Sequence, residues 1–353
     1  MDIISKTSPS VHTPPPLWQL DIAKIFMALA VIYIHVEPFH VLWPALNSIL
    51  LCFAHSSVAA FFAISGFLLT YRQQDFHLTG RVAQKFLLRI GRMYLLWAVP
   101  CDILLWLSGI SPENIFVQTI FGVMHLWFLV GMIQIVCLMY LWQRFLPIKY
   151  LLLPGLLLYT AVTLATTYWQ QIPIGNLYWM LLRSGLGYGL FFFIMGMYMA
   201  PLAQRFSRCQ SSFLLISAVL VQLAEILLLM DGQASFQGYD FFLSQLLVVP
   251  ALLIFLTQWQ LKGQIWPQLC PFLRRSSIFI YCFHGQLVVY FLLLCPEQLD
   301  KLAASLSIDI FILRSILVLS ITLVVNTLVI FTGSGFFPSQ LPSLFRRQSP
   351  SRR

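Results

Sequence analysis

The chain has 353 residues, 59% of them hydrophobic and only 9% Asp, Glu, Lys or Arg, with a formal net charge of +9. Water-soluble domains carry about 25% charged residues, so a soluble enzyme, a disordered protein and a nucleic-acid binder are excluded, and the continuous rather than alternating apolar runs argue against a β-barrel. At roughly 20 apolar residues per spanning helix the composition supplies about ten spans, and the net charge becomes a question of which side of a membrane holds the positive residues.

Residues 1–16 (MDIISKTSPSVHTPPP) are polar and proline-rich and read as a disordered cytoplasmic tail. They are not read as a cleaved leader, because the apolar run that follows contains Asp21 and Lys24. Ten candidate spans follow, near 17–36, 46–70, 93–109, 123–142, 150–168, 185–202, 212–230, 241–259, 277–295 and 309–331. Residues 333–353 form a basic cytoplasmic tail. The expected fold is an all-α integral membrane protein, a polytopic bundle of about ten transmembrane helices.

Alternating the spans from a cytoplasmic N-terminus sorts the charges. Arg72, Arg81, Lys85, Arg89 and Arg92 fall inside, as do Arg144, Lys149, Arg205, Arg208, Lys262, Arg274, Arg275 and the C-terminal arginines. Arg183 and Lys301 fall outside, together with Glu37, Glu113, Asp231, Asp240, Glu297 and Asp300. This bias supports an N-in, C-in topology with an even number of spans. The seven cysteines include no C-x-x-C pair and lie mostly in apolar runs. They read as buried thiols, with no disulfide and no metal site expected.

Ionisable side chains inside a bilayer are expensive, so each is a site candidate. The first span (LWQLDIAKIFMALAVIYIHV) holds Asp21, Lys24 and His35. Lys24 and His35 are eleven residues apart, about 16 Å along a helix and within about 20° of one face. Asp21, three residues before Lys24, can pair with it. The result is one polar stripe with an ion pair near the inner end and an imidazole in the outer half. A purely structural alternative stands beside it, in which Lys24 snorkels to the interface and His35 only bonds a neighbouring helix.

Further along, Ser65-Gly66 suits close helix packing better than nucleophilic chemistry, since no G-x-S-x-G elbow is present. Arg89-Ile-Gly-Arg92 sets two guanidinium forks three residues apart at the inner start of the third span. They suit either topological anchoring or a phosphate clamp. His125 and Trp127 open the fourth span, and His284 lies in the ninth. Glu225 and Asp102 are further intramembrane carboxyls that the sequence does not rank.

These pieces fit one pattern. The chain resembles the membrane-bound acyltransferase-3 family over roughly 17–331, through Asp21…Lys24…His35, FFAISGFLL at 61–69, RIGR at 89–92, HLWFL at 125–129 and SSIFIYCFHG at 276–285. It looks most like the short bacterial O-acetyltransferase members, of the enterobacterial-common-antigen O-acetyltransferase type. The family pattern in the first span is Arg, ten residues, His; here the spacing matches and position 24 is Lys, which keeps the charge and loses the planar fork.

The resemblance implies an acyltransferase-3-like transmembrane domain over 17–332 in the inner, cytoplasmic membrane. It implies O-acyl transfer, acetyl by analogy, from cytosolic acyl-CoA to a hydroxyl of a cell-surface or lipid-linked carbohydrate. His35 is then the general base, with Lys24 and Asp21 as further catalytic residues in its stripe. Arg89 and Arg92 bind acyl-CoA, and Ser65, His125, Trp127 and His284 serve the acceptor or the oxyanion. Acyl-CoA is a donor substrate, and no permanently bound cofactor or metal is expected. The alternative is a transporter of a small solute or lipid-linked sugar, which would use the buried stripe but leave the paired arginines without a role.

Overall fold

The computed structural model describes residues 17–73, 76–169, 184–231, 240–259 and 261–332. The two tails, 1–16 and 333–353, and Arg183 lie outside these residues. All regular structure among the described residues is helical. The α-helices are α1 (Trp18–Val36), α2 (Pro44–Gln73), α3 (Gly80–Leu107), α4 (Pro112–Phe121), α5 (Trp127–Trp142), α6 (Leu152–Thr163), α7 (Leu190–Ala203), α8 (Arg208–Met230), α9 (Gln245–Gln258), α10 (Trp266–Val289), α11 (Pro296–Leu306) and α12 (Ile310–Phe331). Short 3-10 and π-helical turns extend α5, α6, α7 and α10.

Nine helical segments among the described residues are long and apolar enough to cross a membrane. They match nine of the ten expected spans. The tenth, expected over 241–259, is helical only as α9, whose 14 residues reach about 21 Å at 1.5 Å per residue. Asp240–Ser244, ahead of it, is not helical, yet Phe241 and Phe242 are fully buried. Its backbone is satisfied by side chains. Thr167 donates to the Phe241 carbonyl (2.6 Å) and Tyr159 to that of Phe242 (2.7 Å). The amides of Leu243 and Ser244 each donate to the Glu225 carboxylate (2.8 Å). Irregular backbone is tolerated in a membrane bundle only where its groups find such partners. Glu225 is therefore the cap of α9, supplied from α8. Asp102, the other unranked carboxyl, accepts from Thr119 (3.1 Å) and ties α3 to α4.

Two spans begin earlier than hydropathy indicates. α3 starts at Gly80, capped by Thr79, instead of near 93. α10 starts at Trp266, with a proline in its first turn, instead of near 277. Lys and Arg are good helix formers, so a basic segment continues a helix that an apolar window cuts short. Arg89 and Arg92 consequently lie well inside α3 and not at its start.

The surface is that of a lipid-facing bundle: Leu228 is 79% exposed and Phe213 is 73% exposed. Inside, α1 and α10 lie side by side and run in the same direction. Cys270 approaches the Trp18 carbonyl, Arg274 meets Asp21, and His284 lies beside His35. α3 runs alongside α10, with Gln286 donating to the Trp97 carbonyl (3.0 Å). α2 and α7 meet through small residues. A Cβ on Gly66 would sit 1.8 Å from the Phe193 carbonyl oxygen, and one on Gly196 would sit 2.0 Å from that of Ala63. Gly66 is thus a helix-packing element. The seven cysteines are free thiols, four of them buried.

Gly66→Ala should therefore destabilise the detergent-purified protein by about 1–3 kcal/mol or more, the range for overpacking. Gly91→Ala, with nothing within 4 Å of the added methyl, should be neutral or stabilising by about 0.5–1 kcal/mol. Thermal midpoints measure both; equal midpoints would mean that α2 and α7 do not need the close approach.

Candidate active site

His35 occupies the last turn of α1. That helix is stopped at Glu37, whose backbone is left-handed (φ 45°) and whose amide bonds the Tyr33 carbonyl (3.0 Å). Arg314 of α12 donates to the Val36 carbonyl (2.9 Å). A guanidinium at a helix C-terminus satisfies an orphan carbonyl and complements the dipole. Asn47 of α2 donates to the Glu37 carboxylate (2.9 Å) and accepts from Tyr33 (2.9 Å). The turn that carries His35 is thus held from two neighbouring helices.

His125 arrives from a break in the chain between α4 and α5. Gly122 and Met124 both have positive φ (105° and 49°), and the intervening turn lowers His125 into the core at 2% exposure. His284 comes from the middle of α10 and is fully buried. The three imidazoles meet. Ring centroids are 4.7 Å apart for His125 and His284, 5.5 Å for His35 and His284, and 6.3 Å for His35 and His125. His35 is the half-buried member and the other two lie behind it.

Backbone carbonyls fix the protons of the buried pair. His125 Nε2 lies 3.0 Å from the Cys282 carbonyl, and His284 Nδ1 lies 3.0 Å from that of Ile280. A carbonyl can only accept, so both of these nitrogens carry hydrogen. The remaining nitrogens, His125 Nδ1 and His284 Nε2, hold lone pairs and are buried without a hydrogen-bond partner. Tyr281 donates to the His125 carbonyl, and its ring stands against Phe61 and Phe128. Gly285 makes the fit possible: a Cβ there would lie 1.9 Å from His125 Nδ1.

The other candidates fall in different surroundings. The Ser65 hydroxyl donates to the Phe61 carbonyl within α2 (2.7 Å). The Trp127 ring stands against Phe62 and Tyr188.

At the far end of α1, Asp21 is 3% exposed. Arg274 of α10 grips it with both arms of its fork, Nε to Oδ1 at 3.1 Å and a terminal nitrogen to Oδ2 at 2.5 Å. Lys24 is a second, longer partner at 3.4 Å. In the sequence Arg274 counts only as one basic residue among many inside; no local signal links positions 253 residues apart. Arg89 and Arg92 are exposed on one side of α3, while Ile90 and Tyr94 face the core. Trp97 stands level with Phe279 and Phe283 of α10. Counting back eight residues at about 1.5 Å each brings Arg89 to about the level of Arg274. The cationic side chains of α1, α3 and α10 thus share one end of the bundle, about 15 Å from the imidazoles. Among the described residues no group of three or more His, Cys, Asp or Glu is placed to hold a metal ion.

This arrangement can hold an anion at one end and move a proton at the other. A family model described as an acyltransferase domain, acyltransferase-3, matches residues 17–333. No curated protein and no solved structure matches the chain.

Arg274→Ala should lower the thermal midpoint and folded yield more than Lys24→Ala does. Breaking a buried pair costs about 3–5 kcal/mol, and less here because the Arg274 side chain is 28% exposed. Adding Asp21→Asn should recover part of the loss, because the stranded charge is removed. Equal losses for the two single variants would deny Arg274 its place as the main partner.

Proposed function

This chain belongs to the acyltransferase-3 family, and on that premise we propose that it carries an acyl group, acetyl by family analogy, from cytosolic acyl-CoA to a hydroxyl of a cell-surface or lipid-linked carbohydrate. The observation that carries the proposal is the half-buried His35 in an imidazole group above a cationic end of the same bundle. In this reading both termini are cytoplasmic, and the protein sits in the inner membrane of the cell. The cytosolic donor then meets Arg89 and Arg92 first. Their forks match phosphate oxygens, and the thioester end of the donor extends along the bundle toward His35.

His35 acts as general base. An imidazole is the side chain best suited to take and return a proton near neutral pH. The acceptor hydroxyl gives its proton to His35 as the oxygen attacks the thioester carbonyl carbon. The carbon–sulfur bond then breaks, and the same imidazole returns the proton to the departing sulfur. An ester and a free thiol result. The Asp21–Arg274 pair and Lys24 hold α1 in place rather than touch the reacting atoms.

Comparative glycan mass spectrometry of a deletion strain tests the function itself. Loss of one fixed acyl mass is expected, and an unchanged glycan profile would overturn it. For the base, His35→Ala and His35→Asn should both lower acyl transfer in membranes by about 10²–10⁴-fold, normalised to folded protein, with acyl-CoA still bound. Near-normal turnover in His35→Asn would end the assignment, because an amide cannot accept the proton.

For the donor site, replacing Arg89 and Arg92 together with Ala should weaken acyl-CoA binding by about 1.5–3 kcal/mol for each charged hydrogen bond lost. Lys at both positions should restore only part of it. Unchanged affinity in a folded double variant would leave these arginines as topological anchors.

A further inference from the structure

A fully buried acceptor without a donor calls for an explanation, and His284 Nε2 is one. The two buried histidines cannot satisfy each other, since each offers a lone pair to the other's side. Of the two, His284 is nearer His35, at 5.5 Å between ring centroids against 6.3 Å for His125. The His125 lone pair also abuts the backbone at Gly285. Ring centroids 5.5 Å apart allow one nitrogen of each ring to meet at hydrogen-bond distance. A neutral imidazole always carries one N–H to give.

We infer that His284 is a positioning residue for His35: in the reacting complex its Nε2 accepts the His35 N–H, so the lone pair of His35 is turned toward the acceptor hydroxyl. The inference rests on the reading of His35 as the base. The tautomer of His284 is already set by the Ile280 carbonyl, so it can act only as an acceptor toward His35. During transfer the acceptor O–H bond breaks and its proton goes to the other, unprotonated nitrogen of His35. The C–O bond forms, the C–S bond breaks, and the proton passes on to the thiol. His284 stays neutral and holds the other N–H of the imidazolium while the charge exists. A charge-assisted hydrogen bond of this kind is stronger than a neutral one.

The choice of a histidine here has a physical reason. A carboxylate in this position would orient His35 equally well, but it would place a permanent charge in the buried core, where charges are costly. An imidazole supplies the acceptor without the charge. The titratable groups whose rings surround it are His35 of α1, His125 of the turn before α5 and Tyr281 of α10 itself.

The test compares His284→Gln, His284→Leu and His35→Ala for transfer of labelled acetyl from acetyl-CoA to the carbohydrate of the expressing cell's own membranes. Rates are normalised to folded protein, and kcat is separated from KM for acetyl-CoA. His284→Leu should lower kcat by about 10–10²-fold, the scale of a misplaced catalytic group, with KM unchanged. His284→Gln should recover most of the loss, because its side-chain oxygen accepts where Nε2 did. If the Leu variant does not accumulate, His284→Met provides the arm without a comparable acceptor. Wild-type kcat in the folded apolar variant, beside an inactive His35→Ala, would overturn the positioning role alone. Gln failing as fully as Leu would also overturn it, since acceptance without proton uptake would then be insufficient. An active His35→Ala would overturn the base assignment and this inference with it.

Discussion

A carboxylate buried in a membrane helix must be neutralised by a partner, and Asp21 finds that partner in Arg274. Two bonds from a planar fork fix distance and rotation together, which a single ammonium cannot do. The pair therefore sets the register of α1 against α10. Both helices rise in the same direction at the same rate per residue. Register fixed at Asp21 and Arg274 is still in place eleven residues above Lys24, where His35 stands beside His284. The meeting of the imidazoles follows from an ion pair about four turns away. This also clarifies Lys24, which occupies the position of the family's arginine. The bidentate contact with Asp21 that an arginine fork could provide comes here from another helix.

The second constraint is the satisfaction of backbone groups. A bundle made only of straight helices would present only side chains of regular spacing to its centre. Here two departures from regular helix place polar groups inside. The break at Gly122–Met124 brings His125 down from the α4–α5 junction, and its ring is then held by the Cys282 carbonyl. The irregular stretch before α9 is sustained by Glu225, Tyr159 and Thr167. Buried polar networks like these are stable only when nearly complete.

Much of this was legible in the sequence, and what was not has identifiable causes. Apolar run length located the helices, because a spanning helix must be apolar along its whole lipid-facing side. It misplaced the starts of α3 and α10, where basic residues continue a helix that hydropathy does not register. It also overstated α9, because an apolar run cannot tell helix from buried irregular chain. Spacing within one helix put Lys24 and His35 on one face. Contacts between helices left no such trace. Arg274 looked like any other inner basic residue, and Glu225 could not be recognised as a cap for a helix it does not belong to. His125 and His284 were visible as candidates only because their local motifs resemble a family. That they share one site with His35 is a fact of three-dimensional packing. For Ser65 and Trp127, drawn from the same kind of motif, the contacts seen are the Phe61 carbonyl and the rings of Phe62 and Tyr188.

The division between the accessible and the buried histidines follows from hydrogen-bond accounting. Each buried ring has one nitrogen committed to a carbonyl, so each can only accept from its neighbours. Neither neutral ring can stabilise an oxyanion, which needs a donor. In the proposed reaction, any stabilisation of negative charge on the thioester oxygen has to come from elsewhere. His35 is the one imidazole of the three that reaches the half-exposed face. Under the proposed function, a site assembled in this way takes a proton from an incoming hydroxyl at His35. It does so without a fixed negative charge among the three rings, which is the arrangement a low-dielectric interior tolerates best. The fixed charges stay at the opposite end, where Asp21, Lys24, Arg274 and the exposed arginines of α3 can share neutralisation with water or with an anionic ligand. Separation of the fixed charges from the imidazoles along one pair of parallel helices is thus a consequence of the membrane as a solvent, and it gives the bundle its polarity.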